Sequence, residues 1–456
     1  MRKTKEQIIA REQKELVKWR AMREKAVPKH YMVLMVIVIS IIYLLDSMAT
    51  DLHSALSELE MSYFSNIMGI SYEQVMAIFS IVSIISILLN IVSPFYHALA
   101  DRLGRKKLFV ISTFGMGIGL LIGYMSTNLV TYVIGRTILQ FFVIADIQVI
   151  YIMEVADPKK RAKLFAATKC ISNLGILIIP LCRDLMLDAS GSNWRDICLI
   201  PSIIAIVCTA LVALCIRESD VFLNNRIAYL ERPYDERQAE KELLKRQKQV
   251  DTNKGGLGTA FKYIKHEKQL RNIVIAYSVF LLGMYSFIGY YNTICMKNGM
   301  DTSAITLSLY AYPVTSALFT LIAGFISDKF GRKSVCITYV FVCFAAMLGY
   351  VFFAGTISPL IIGTFYGIVH GSYWTIGDSL LMMLGESAKT EMRSSTMAAN
   401  GLISLVCATV SALIYGVLVM AVNISILCIA GGVITMGLMS LLLIKGIKET
   451  KGTVLV

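Results

Sequence analysis

Charge is scarce in this chain. Only 16% of its 456 residues are Asp, Glu, Lys or Arg, where a soluble globular domain carries about a quarter. Histidine (5), proline (8) and tryptophan (3) are also few, so neither a histidine-rich metal tract nor a proline-rich linker is available. The ten cysteines show no metal-ligand or disulfide spacing and read as small interior residues. Apolar residues do not alternate with polar ones, which excludes a membrane β-barrel. No nucleophile–base constellation, metal cluster or phosphate loop is visible. The glycine-rich run FGMGIGLLIG, Phe114–Gly123, sits inside an apolar stretch, where small residues let helices approach one another. An enzyme is therefore not expected, nor a cofactor, nor a metal.

What the chain has in quantity is long apolar runs. It is 56% hydrophobic with a mean hydropathy of +0.65. Runs such as Tyr31–Leu45 and Ile424–Ile444 are of the length that crosses a membrane, since about 20 apolar residues span some 30 Å of hydrocarbon as a helix. Twelve spans are expected, the first at 30–53 and the seventh at 271–295. No cleavable signal peptide is evident, the first run being too long.

The formal net charge is +13, and its distribution is informative. Of the 44 Lys and Arg, 10 fall in residues 1–30 and 13 in residues 217–271. With twelve spans, these stretches and the other basic loops share one side. Positive residues mark the cytoplasmic side, so both termini and the central loop are expected there, in a multi-pass protein of the cell membrane. Nucleic-acid binding is not expected, because the charge lines a membrane face. Residues 2–27 are basic and favour helix. They suit either the anionic inner leaflet as a lipid-facing segment or a loosely docked helix.

The chain repeats itself. HALADRLGRKKL at 97–108 returns as GFISDKFGRKSV at 324–335, an offset of 324 − 97 = 227. Glu154 and Arg161, seven residues apart, return as Glu386 and Arg393, offset by 232. Glu218 in IRESDVFL returns as Glu449 in IKETKGTV, offset by 231. Fixed-offset self-similarity marks a transporter built from duplicated units. The expected architecture is an all-α membrane protein of 12 transmembrane helices in two pseudo-symmetric six-helix bundles. Its segments are a basic cytoplasmic segment (1–29), a first bundle (30–217), a linker with short helices (218–270), a second bundle (271–446) and a cytoplasmic tail (447–456).

These phrases resemble the major facilitator superfamily. The motif G-x-x-x-D-[RK]-x-G-R-[RK] between the second and third spans of a half is its signature loop. Gly324–Lys333 matches it fully, whereas His97 stands at the glycine position of the first copy. RESDVFL and KETKG resemble loops of the sugar-porter, or metabolite:proton symporter, branch. In these loops Asp101 and Asp328 are placed to face helix N-termini. Arg102, Arg105, Arg161, Arg332 and Arg393 are placed to pair with Glu154, Glu218, Glu386 and Glu449. Such a set would gate the cytoplasmic ends of the halves.

Ionisable residues at membrane depth are candidate functional residues. Asp46, in IIYLLDSMATDL, resembles the proton-carrying aspartate of proton-coupled sugar porters, and the resemblance makes Arg136, in VIGRTILQ, its partner. Lys169 stands where the family places a sugar-binding glutamine. Asp146 and Asp378 occupy matching registers, eight residues before Glu154 and Glu386. They face either a substrate or one another. The family's paired glutamines of span seven are absent, and Tyr285, Tyr290, Tyr291 and Asn292 stand in that region, with Trp374 in span ten. Asp51, His53 and Glu73 lie near outer ends, where water reaches them. The expectation is a monomeric secondary transporter that moves a small sugar-like or charged organic solute with protons by alternating access. A proton-coupled exporter and an uncoupled uniporter remain open alternatives, as does a transporter-like sensor.

Overall fold

The computed structural model describes residues 4–25, 31–89, 91, 103–143, 175–188, 191–240, 242–243 and 257–450. The expected site residues Asp101, Arg102, Asp146, Glu154, Arg161 and Lys169 lie outside these residues, as does the side chain of Asp328.

Among the described residues, nine helices are long and apolar enough to cross a membrane, and Leu129–Val143 is a shorter apolar one. Helices satisfy their own backbone, which a bilayer cannot do for them. In chain order the first unit holds α1 (Lys5–Glu24), α2 (Tyr31–Met68), α3 (Tyr72–Leu89), α4 (Arg105–Met125), α5 (Leu129–Val143), α6 (Ile178–Met186) and α7 (Leu199–Cys215). The linker supplies α8 (Asp220–Glu231), helix over 234–240, and α9 (Leu257–His266). The second unit holds α10 (Lys268–Leu282), a π-helical turn at Tyr285–Gly289, α11 (Tyr291–Lys297), α12 (Thr302–Phe330), α13 (Arg332–Phe353), α14 (Pro359–Ser387), α15 (Thr390–Leu418) and α16 (Ile424–Leu441). The fold is the twelve-helix one expected.

The first span differs from expectation. α2 does not stop near residue 53 but runs to Met68 as one helix of 38 residues. The segment SALSELEMSYF is too polar for lipid, yet Glu58 and Glu60 are buried at 2% and 1% exposure. Protein contacts, not lipid, cover this extension. We call its end of the bundle distal, and the end carrying α1 and the linker terminal.

Small residues set the closest approaches. Gly363, Gly367 and Gly371, four apart on α14, press against the carbonyls of Ser308, Tyr312 and Ser316 on α12. Only glycine allows two backbones so near. The Phe114–Gly123 run behaves likewise: a Cβ on Gly119 would meet the Leu139 backbone nitrogen at 2.6 Å.

The signature loops form the same device twice. Gly104 and Gly331 precede α4 and α13 with φ of 95° and 98°. Glu218 accepts from the backbone N–H of Arg105 (2.8 Å) and Lys106 (3.2 Å). Glu449 accepts from those of Arg332 and Lys333, at 3.0 Å each. Each carboxylate satisfies free N–H groups at a helix start and meets the positive end of its dipole. Glu218 and Glu449 arrive from the far end of each half to fill these positions, while Asp101 and the Asp328 side chain lie outside the described residues.

The N-terminal helix is docked. Trp19 of α1, 4% exposed, packs with Phe222, Leu223, Ile227 and Leu230 of α8. Arg237–Glu12 (2.7 Å), Arg226–Glu15 (3.1 Å) and Arg20–Glu231 (2.6 Å) surround the contact.

Candidate functional site

A cavity of about 200 Å³ lies between the halves. α2 contributes His53, Ser57 and Glu60, α3 contributes Phe79, Ser80 and Ser83, and α5 contributes Arg136. The opposite wall is the break after α10, with Tyr285, Gly289 and Tyr290. The glycines of GMYSFIGYY weaken this stretch as α-helix, and a π turn takes its place. That turn projects two tyrosines across the interface. Tyr285 Oη lies 2.5 Å from Ser83 Oγ, and Tyr290 Oη 3.5 Å from Ser80 Oγ.

The ionisable side chains of the cavity meet at His53. Its Nδ1 is 3.1 Å from Glu60 Oε1 and 2.7 Å from the Tyr132 hydroxyl. The His53 and Glu60 side chains are 13% and 2% exposed, and His53 Nε2 is buried with no hydrogen-bond partner among the described residues. Arg136 shares the cavity, its guanidinium 5.6 Å from the Phe79 ring centre. His53 is thus interior rather than wet. Glu60 was unmarked in the sequence, because the helix was expected to end before it.

Towards the distal end the halves are tied by a second polar cluster. Arg183 of α6 pairs with Glu58 through Nη2 at 2.6 Å and donates from Nη1 to the Ala55 carbonyl, also at 2.6 Å. Its Nε donates to Thr306 Oγ1 of the second half at 2.8 Å. Asn292 Nδ2 donates to Glu58 Oε2 at 2.8 Å and to the Ser54 carbonyl at 3.0 Å. Lys297–Glu73 (2.7 Å) and Tyr310–Asp184 (2.7 Å) add further links between the halves.

The other expected site residues are placed as follows. Asp46 lies on α2, half-buried, with its backbone carbonyl accepting from Thr50. Tyr291 stacks on Tyr366 with centroids 3.9 Å apart and donates to Ser308, inside the second half. Trp374 and Asp378 share one exposed face of α14, and Trp374 donates to His370 at 3.2 Å. His370 in turn lies 3.6 Å from Asp51 across the interface. Of the expected solute contacts, the described cavity wall brings together Tyr285 and Tyr290, with Arg136 of the expected coupling pair beside them. At the terminal end Arg332 pairs with Glu386 at 3.1 Å, Thr450 donates to Glu386, and Arg393 donates to the Gly385 carbonyl. Arg105 lies over the Phe222 ring.

The Major Facilitator Superfamily model matches residues 30–412. The chain belongs to this superfamily. The glucose transporter GlcP of Staphylococcus epidermidis is 27% identical over 252 residues, 52% of this chain and 55% of that protein. The chain therefore matches about half the length of that relative. The arabinose-proton symporter of Bacillus subtilis is 26% identical over 256 residues, 52% of this chain and 54% of that one. A putative metabolite transport protein of the same organism, YwtG, is 24% identical across 78% of this chain and 80% of its own length. Among solved structures, a D-xylose-proton symporter superposes with a TM-score of 0.65 at 17% identity, covering 92% of this chain and 99% of that one. The partially occluded, inward-open xylose transporter XylE of E. coli gives 0.65 at 19%, covering 94% and 100%. The resemblance to the sugar-porter branch rests on these relatives and on the loop phrases.

Proposed function

We propose that this superfamily member is a proton-coupled transporter of a small sugar-like or charged organic solute. The observation that carries the reading is the cavity between the halves, where an arginine, a buried acid and a histidine face hydroxyls and tyrosine rings. Serine and tyrosine hydroxyls suit a polyhydroxylated solute, and aromatic faces suit the apolar side of a sugar ring. The names of the bacterial relatives, a glucose transporter and an arabinose-proton symporter, point the same way.

In this reading both termini are cytoplasmic, so the Arg183–Glu58–Asn292 cluster closes the outer end. Release of that end and closure of the terminal end by the Arg332–Glu386 set and its first-half counterparts would alternate access. Asp46 with Arg136 is the coupling pair, and Tyr285 and Tyr290 contact solute. Lys169, Asp146, Asp378 and Trp374 are further candidate solute contacts.

Purified protein in liposomes with an internal pH dye tests this. D-glucose, D-xylose, L-arabinose and D-gluconate are added in turn to wild type and Asp46→Asn. Acidification by one solute with wild type alone supports proton symport. Solute entry with no pH change in either favours a uniporter, and no entry of any solute removes the transport assignment for this class.

A further inference from the structure

The cavity carries more titratable chemistry than solute binding requires, and it is ordered along one line. Asp46, Thr50, His53, Ser57 and Glu60 follow one another on α2 at steps of four, three, four and three residues. Such steps put all five on one stripe of a helix. At 1.5 Å per residue, Asp46, His53 and Glu60 are spaced by ~10 Å along the axis.

α5 packs against this stripe, because the Tyr132 hydroxyl meets His53. α5 runs antiparallel to α2, so Arg136 lies one turn, about 6 Å, nearer the terminal end than Tyr132. Its level therefore falls between His53 and Asp46.

We propose that His53 and Glu60 share one exchangeable proton, and that this pair is a coupling-proton site on α2 additional to Asp46. This rests on the transport reading above. The proton adds to the lone pair of His53 Nδ1, the Tyr132 hydroxyl at 2.7 Å turns its hydrogen away from that nitrogen, and the resulting N–H donates to Glu60 Oε1. No covalent bond breaks, and release reverses the step. Among the described residues, Nε2 of the same ring is buried and unpartnered, a costly state for a polar atom.

Other titratable groups face the pair, and most are already engaged. Arg136 and Tyr132 come from α5, Tyr285 and Tyr290 from the break after α10. Tyr72 of α3 and Cys198 before α7 feel the Glu60 charge. On α2 itself, Glu58 is held by Arg183 and Asp51 faces His370. Glu60 is the acid whose hydrogen-bonding neighbour is the cavity histidine.

The test uses the full chain, wild type and Glu60→Gln, His53→Asn and the double variant. One measurement needs no solute: proton uptake by purified protein taken from pH 8 to pH 5, counted with a dye. A shared proton predicts that each single variant binds about one proton fewer and that the double variant loses no more than either single. Loss of two protons in the double, or none in the singles, overturns the proposal. The second measurement uses D-xylose and D-glucose in liposomes. In each single variant the ratio of accumulation driven by a pH gradient to counterflow should fall at least tenfold from the wild-type ratio. Full gradient-driven accumulation in either single variant also overturns it. Absence of wild-type counterflow would instead count against the transport reading, while the proton count still decides the shared site. Glu60→Asp, which keeps the charge, should restore coupling and exclude misfolding as the cause.

Discussion

Arg183 and Glu58 pair at 2.6 Å with 0% and 3% of their side chains exposed, and each also bonds across the interface to the other half. Breaking such a pair leaves one buried charge without its counter-ion, which costs about 3–5 kcal/mol. Arg183→Ala should therefore lower the thermal midpoint sharply. The double variant Arg183→Met with Glu58→Gln should recover much of the loss, because neither charge then remains.

Asn292→Ala is a gentler change. It leaves the ion pair intact and removes a bond between the halves. A hydrogen bond to a charged group contributes ~1.5–3 kcal/mol, so the distal end should open at least tenfold more often. A membrane-impermeant maleimide on Ser62→Cys, in the distal cleft, reads this as faster labelling.

The two signature glycines should fail alike. At φ near +95°, alanine is strained by about 1–3 kcal/mol, and its Cβ would also strike the Glu218 or Glu449 carboxylate. Gly104→Ala and Gly331→Ala should each lower the midpoint in detergent by several degrees. Gly324→Ala should not, since no atom lies within 4 Å of a Cβ there.

Burial pushes the Glu218 carboxyl above its ordinary value, and the backbone N–H groups of Lys106, Ser219 and Arg105 oppose the shift without cancelling it. A raised acid contributes stability that is present below its unfolded value, about 4.3, and is lost as pH rises through the folded one. Glu218→Gln carries no charge to bury. Wild type should therefore gain on this variant in midpoint as pH falls from 7 towards 5.

Trp19→Ala removes the centre of the contact between α1 and α8. Large-to-small changes of this kind cost about 3–5 kcal/mol when buried. Amide exchange across residues 220–231 should speed up, with solute counterflow little changed.

The repeat made much of this legible. Three offsets near 230 foretold two halves, and the structure gives both copies the same glycine and the same capping glutamate. The length of α2 was not legible, because DLHSALSELE reads as a polar loop until Arg183 and Tyr132 are brought against it. Asn292 meets Glu58 from 234 residues away, a pairing no local pattern encodes. The stripe from Asp46 to Glu60 was present as spacing. Its period was hidden by the expectation that the helix had ended.

α1 is fastened to α8, which follows directly from the first bundle, whereas α9 packs on α10 and α15 of the second. Each half thus carries its own handle outside the membrane. Spin labels on exposed positions of α1 and α9 would track the rocking of one half against the other as a single changing distance, with every residue of the transport path left native.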